Sequence, residues 1–184
     1  KWKDSIINLH NSKNTQDLNS SYHKRLAYDE ILASLLVMSQ IRKRIKKIKK
    51  KNKFFKNTLS NSLINNFNFK LTQDQERIIK EINKDLKSGN KMFRLLQGDV
   101  GAGKTIVSLI AASNVIESNF QTAFMAPTEI LAKQHYNLAK NIFKGTSIKI
   151  GFLTGKTKIS DKKIVVDKLA NGKINLLIGT HALF

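Results

Sequence analysis

Residues Gly98–Thr105 read GDVGAGKT, matching the pattern G-x-x-x-x-G-K-[ST] at every defined position. Gly98, Gly101 and Gly103 permit backbone angles that side chains forbid. The backbone N–H groups of Asp99, Val100, Ala102 and their neighbours can then wrap a phosphate chain at the positive end of a helix dipole. Lys104 is placed to reach the β- and γ-phosphates of ATP, and the Thr105 hydroxyl to ligate Mg²⁺. A glycine-rich turn that binds nothing is the plainer alternative. The setting argues against it, because an apolar, strand-like run precedes the loop and a helical pattern follows.

Three more stretches fall where ligands gather, at the carboxyl ends of expected parallel strands. They are Pro127-Thr128-Glu129, the run Leu153–Lys158 with Thr154 and Gly155, and Gly179-Thr180-His181. Taken singly, each reads as ordinary loop or cap chemistry. Thr128 suits a helix N-cap. His181 has no visible metal partner and reads as structural. The chain has no cysteine, which excludes disulfides and cysteine metal sites and suits a reducing cytoplasm.

The elements that must position these residues form two regions. Residues 1–23 read as mostly loop. Residues 24–50 carry Ile31, Leu35, Met38, Ile41, Ile45 and Ile48 at helical spacing. The end of this helix runs into Arg42–Lys53, with nine basic residues and no acid. That run is either a solvated face or one that tracks phosphates. Residues 54–70 read as a linker, with a domain boundary near Asn65, so that 1–65 and 66–184 form separate regions. Thr72 is expected to cap a helix over 73–87, with Gln75 as its reciprocal partner. Beyond it, strands are expected at 92–97, 121–126, 148–154 and 174–179. Helices are expected at 103–117, 128–143 and 161–170. This alternation predicts an α/β fold with a parallel sheet covered on both faces.

The 184 residues carry 33 basic and 13 acidic side chains, a net charge of +20. That balance favours a polyanionic partner, although a sequence rich in Lys, Asn and Ile also reflects composition bias. No apolar run approaches membrane-spanning length. The chain begins at Lys1 and stops in an apolar run, so both ends read as cut from a longer protein.

Together, RLLQGDVGAGKT (Arg94–Thr105), MAPTEILAKQH (Met125–His135), FLTGK (Phe152–Lys156) and LIGTHALF (Leu177–Phe184) resemble the superfamily-two helicases. Within them they resemble the ATP-dependent branched-DNA helicases. HKRLAYDEILA (His23–Ala33) is similar to that family's lead from the DNA-binding wedge into the motor. The resemblance covers residues 22–184. The transcription-repair coupling translocases share the GDVG-x-GKT loop and a GTH motif, whereas the APTEILA-x-QH run and RLAYDE favour the branched-DNA helicases.

The resemblance implies a P-loop, RecA-like first motor lobe, incomplete here and preceded by a long basic helix. It implies ATP and Mg²⁺ as cofactors, and forks and Holliday junctions as partners. Phe69 and Gln75 match the residues near adenine. Gly98, Asp99, Val100, Gly101, Ala102, Gly103, Lys104 and Thr105 match the phosphate and Mg²⁺ loop. Pro127, Thr128, Glu129, Thr154, Gly155, Thr180 and His181 match motifs facing the DNA backbone, where contacts are independent of sequence. One departure stands out: Asn68 occupies the place of the family's proline before Phe69. No adjacent Asp-Glu pair follows Thr105. This chain alone is therefore expected to bind nucleotide without completing hydrolysis. Other P-loop enzymes and a non-catalytic basic nucleic-acid-binding module remain as alternatives.

Overall fold

The computed structural model describes residues 2–11, 20–50, 53–65 and 67–183. In chain order these form α1 (Trp2–Asn11), α2 (Ser21–Lys47), α3 (Thr58–Asn65), α4 (Gln73–Lys87), α5 (Lys104–Glu117), β1 (Thr122–Met125), α6 (Glu129–Ile142), β2 (Ile150–Leu153), α7 (Ile159–Ala170) and β3 (Leu176–Gly179). A single 3-10 turn, His181–Leu183, follows. Residues 1–49 form one compact unit and 50–184 another. Helix α3 packs on α5 within the second unit.

In the first unit, α1 replaces part of the loop expected over 1–23 and packs on α2, burying Ser5. Residues 12–19 of that expected loop lie outside the described residues. Ser20 caps α2, its hydroxyl accepting the His23 N–H at 3.2 Å. Residues 24–47 are helical as their periodicity requires.

In the second unit, β3 (LLIG) is buried at every position, as befits a central parallel strand covered on both faces. It pairs with β1 and β2, giving a three-stranded parallel sheet in the order β1-β3-β2. Leu176 and Ile178 face a cluster with Leu63, Leu109, Ile116 and Phe143. Leu177 points the other way, to Leu153 and Ile174, with Val165 and Leu169 of α7 packed against them. Meanwhile α5 turns its remaining apolar side, Val107 and Ile110, to Ile79 and Ile82 of α4. Thus α5 is buried between the sheet and α4, which fixes the helix that opens at the glycine-rich loop.

Two expectations are corrected. Residues 92–97 (MFRLLQ) do not form a fourth strand among the described residues. Met92, Arg94 and Leu96 line a cavity of about 300 Å³ that Thr122 and Phe124 of β1 also line. A short apolar run before a glycine-rich loop makes such a segment strand-competent, but a strand exists only against a neighbour's N–H and C=O groups. What holds the segment is Arg94, paired to Glu81 and Asp85 of α4, both at 2.7 Å. The linker expected over 54–70 contains α3, for which a distant residue supplies the cap. Glu117 Oε1 accepts the N–H groups of Thr58 and Leu59, each at 3.1 Å, and the Thr58 hydroxyl.

Candidate functional site

The loop Gly98–Thr105 leads into α5, and Gly103 is the residue before its first turn. Gly101 and Gly103 take φ of 84° and 77°, the left-handed region that disfavours side chains. Gly98 does not share this need, and a Cβ there would meet Ala102 Cβ at an ordinary 3.4 Å. The turn is closed by Ala102 N–H donating to Asp99 O at 3.2 Å. Lys104 Nζ reaches back across the loop to Gly98 O at 2.8 Å and Asp99 O at 2.6 Å. Its ammonium is thus held over the concave side of the loop.

Helix α4 forms the opposite wall. Thr72 Oγ1 accepts Gln75 N–H at 3.2 Å, and Gln75 Oε1 accepts Thr72 N–H at 3.0 Å, the reciprocal cap expected from the sequence. The other end of the same amide, Nε2, donates to Ala102 O at 3.0 Å. A Cβ at Gly103 would collide with this Nε2. Gln75 therefore does two structural jobs, and one of them holds the phosphate loop. A cavity of about 510 Å³ lies between the two walls, lined by Gln75, Arg77, Gly98, Gly101 and Lys104 among others.

These groups suit a nucleoside triphosphate: exposed loop N–H groups, one ammonium and a helix N-terminus around a cavity of suitable size. Thr105, half-buried in the first turn of α5, is the hydroxyl available to Mg²⁺. Among the described residues there is no cluster of three His, Cys, Asp or Glu side chains that would hold a metal. When bound, Mg²⁺ would neutralise phosphate charge. Phe69 lies on the chain leading to α4, its ring stacked on Phe67 at 4.9 Å with 7° between planes. Phe69 is 47% exposed, so one aromatic surface remains open.

The strand-end residues come together at one edge. Helix α5 leads away from the phosphate loop and β1 returns after a short turn, so the carboxyl ends of the parallel strands lie on the loop's side of the sheet. Ala126 N–H donates to Gly179 O at 2.8 Å, and Thr180 N–H to Leu153 O at 3.3 Å, which ties the three strand exits together. Thr128 caps α6 by accepting Leu131 N–H at 3.3 Å, as expected. Glu129 spans two exits, pairing with Lys156 Nζ at 3.0 Å and accepting Lys156 N–H at 3.3 Å. Hydrogen bonding from Lys156 is the main cause that lowers the Glu129 carboxyl below its ordinary pKa. Thr154 and Thr180 are buried, with Thr154 N–H donating to Thr157 Oγ1 at 2.9 Å. Pro127, Gly155 and His181 are exposed. Lys156 and Thr157 belong to this edge, which the sequence marks only as part of the run Leu153–Lys158. The glycine and lysines of the LTGKTK run were the available signal.

A phosphate loop opening a helix, beside a parallel sheet whose strand exits converge, defines a P-loop nucleotide-binding lobe. Residues 72–184 match the DEAD/DEAH box helicase family, and the chain belongs to that family. It is 44% identical over 188 residues to the ATP-dependent DNA helicase RecG of Aquifex aeolicus, covering 97% of this chain and 23% of that protein. Identity to the ATP-dependent DNA helicase RecG of Thermotoga maritima is 41% over 181 residues, covering 98% of this chain and 23% of that one. The structure of RecG bound to a three-way DNA junction is similar at a TM-score of 0.78 and 40% identity, covering 98% of this chain and 25% of the other. The chain thus spans about a quarter of the length of these relatives.

Proposed function

We propose that this chain is the first motor lobe, with its leading helix, of an ATP-dependent DNA helicase that remodels branched DNA such as forks and Holliday junctions. In this reading residues 1–65 end a linker from a DNA-binding wedge, and residues 66–184 belong to the lobe. The observation that carries it is the pairing of a built phosphate loop with three strand exits at the same edge of the sheet. A motor needs both, one to hold nucleotide and one to grip a strand without reading its bases.

We assign the roles from the family resemblance, residue by residue. Loop N–H groups from Gly98 to Gly103 cradle the phosphates. Lys104 leaves its carbonyl partners for the β- and γ-phosphates, and Thr105 ligates Mg²⁺. Phe69 and Gln75 face the adenine. Pro127, Thr128, Glu129, Thr154, Gly155, Thr180 and His181 present the DNA-facing edge. The setting is the cytoplasm; among the described residues no helix is long and apolar enough to cross a membrane.

The test is nucleotide binding and ATP turnover with and without forked DNA. Residues 1–184 are expected to bind ATP and to leave it unhydrolysed, and Lys104→Ala to abolish binding. Binding that survives Lys104→Ala would refute the assignment of the loop. Brisk turnover by residues 1–184 would refute the expectation that this chain binds ATP without hydrolysing it.

A further inference from the structure

The basic run Arg42–Lys53 is not absorbed by the nucleotide site or the strand exits. Of its nine cations, the seven whose side chains are described fall into two groups. Lys50 is committed to the fold. Its Nζ donates to the last-turn carbonyls of α4, Leu86 O at 3.0 Å and Asp85 O at 3.2 Å, and its N–H donates to Gly89 O at 2.9 Å. Burial, followed by repulsion from Lys53, lowers its pKa, as expected of an ammonium taken from water to close a helix end. Lys53 is committed too, its Nζ lying 4.6 Å from the centre of the Phe120 ring.

The upstream cations are different. Arg42, Lys43, Arg44 and Lys47 on the last turns of α2, and Lys49 just beyond, are exposed. None has a side-chain ion pair or hydrogen bond among the described residues. The last acid before them in the chain is Glu30, and no acid occurs within the run. At about 100° per residue, Arg42, Lys43, Arg44 and Lys47 spread over an arc of about 200°, opposite Ile41 and Ile45. A helix holding so many like charges without counter-ions is destabilised by their mutual repulsion. A polyanion relieves that repulsion.

We infer that Arg42, Lys43, Arg44, Lys47 and Lys49 form a second DNA contact surface, which grips the phosphate backbone of a duplex arm. The inference rests on the reading of the chain as part of a DNA helicase, and it concerns a site apart from the strand exits. Charge complementarity selects the partner. Residues 42–47 rise about 9 Å as helix, and a duplex of that length carries about five phosphates at about 1.7 Å per charge. Guanidinium groups at Arg42 and Arg44 add the bidentate geometry that phosphates accept. Contacts of this kind hold and orient DNA and carry no sequence preference.

The experiment compares the protein with its Arg42→Gln, Lys43→Gln, Arg44→Gln, Lys47→Gln variant, titrating a forked DNA over a range of salt concentrations. Glutamine keeps helix propensity. Unchanged circular dichroism and ATP affinity would report an intact fold. The expected result is a loss of at least tenfold in DNA affinity at low salt. The slope of log affinity against log salt should shrink by about three to four, at about 0.9 per lost phosphate contact, equally for unrelated sequences. In the unaltered protein, DNA should also shield Lys43 and Lys47 from acetylation. An unchanged slope with no shielding overturns the inference and leaves the run a solvated face. A slope that is unchanged while binding to phosphatidylserine vesicles is lost overturns it in favour of a membrane surface. Failure of the unaltered protein to bind forked DNA would instead sink the helicase reading itself.

Discussion

Gln75 Nε2, at the start of α4, donates to the carbonyl of Ala102 in the phosphate loop at 3.0 Å. Its Oε1 meanwhile accepts the Thr72 N–H at 3.0 Å. One amide thus joins the cap of a helix to the wall of a nucleotide site, and its two ends can be separated by mutation.

Gln75→Glu keeps an oxygen for the Thr72 N–H but turns an acceptor toward Ala102 O. The helix cap should survive while the loop loses its tether. Nucleotide affinity is expected to fall about five- to tenfold, near the 1 kcal/mol of a typical hydrogen bond, with little change in Tm. Isothermal titration beside a thermal melt would check this. Equal losses in both would mean that the cap, and not the tether, is what matters.

The rings of Phe67 and Phe69 stack face to face at 4.9 Å. Adenine facing Phe69 would extend that stack. Phe69→Ala should therefore weaken ATP binding while leaving inorganic tripolyphosphate binding unchanged, because tripolyphosphate has no base. Phe67→Leu should show a smaller loss of the same kind, as the supporting ring goes. Parallel losses for both ligands would place the two rings in folding alone.

Glu117 carries a pH dependence whose sign can be stated. Burial pushes its carboxyl pKa up, and hydrogen bonds from the Thr58 hydroxyl and from the N–H groups of Leu59 and Thr58 more than offset this, leaving it below its ordinary 4.5. Its stabilisation is complete above that ordinary value and fades as the pH drops through the lower folded value. Glu117→Ala should cost about 1 kcal/mol at neutral pH, as for the loss of a helix cap. The gap to the unaltered protein should narrow in acid. Melts across pH 3 to pH 7, a window of about four units around the carboxylate range, would show whether the gap is instead constant.

Lys156 and Glu129 form an exposed ion pair at the strand exits. Pairs of this kind contribute little to stability, so Lys156→Ala should leave Tm unchanged. If Lys156 also meets a phosphate, DNA affinity should fall and its salt slope shrink by about 0.9. The Glu129 carboxyl is lowered by Lys156, so the pair should hold above the ordinary carboxylate value of 4.5 and loosen as pH falls below it. A salt slope identical to that of the unaltered protein would remove Lys156 from the DNA face.

Local rules alone determine much of this chain. The phosphate loop is legible because its glycines, lysine and threonine interact within a few bonds of one another. The capping box at Thr72 and Gln75, the Thr128 cap and the apolar run of β3 are legible for the same reason. Elements that depend on distant partners are not. Residues 92–97 have the apolar character of a strand and remain unpaired because a strand is defined by its neighbour. Helix α3 is hidden in an Asn- and Ser-rich stretch because its cap comes from Glu117, on another helix. The run Arg42–Lys53 reads as one block of charge, yet packing assigns Lys50 to the end of α4 and leaves Arg42–Arg44 exposed. Spacing along a chain records what a residue can do. Which partner it meets depends on burial and on contacts that close only when the whole unit folds.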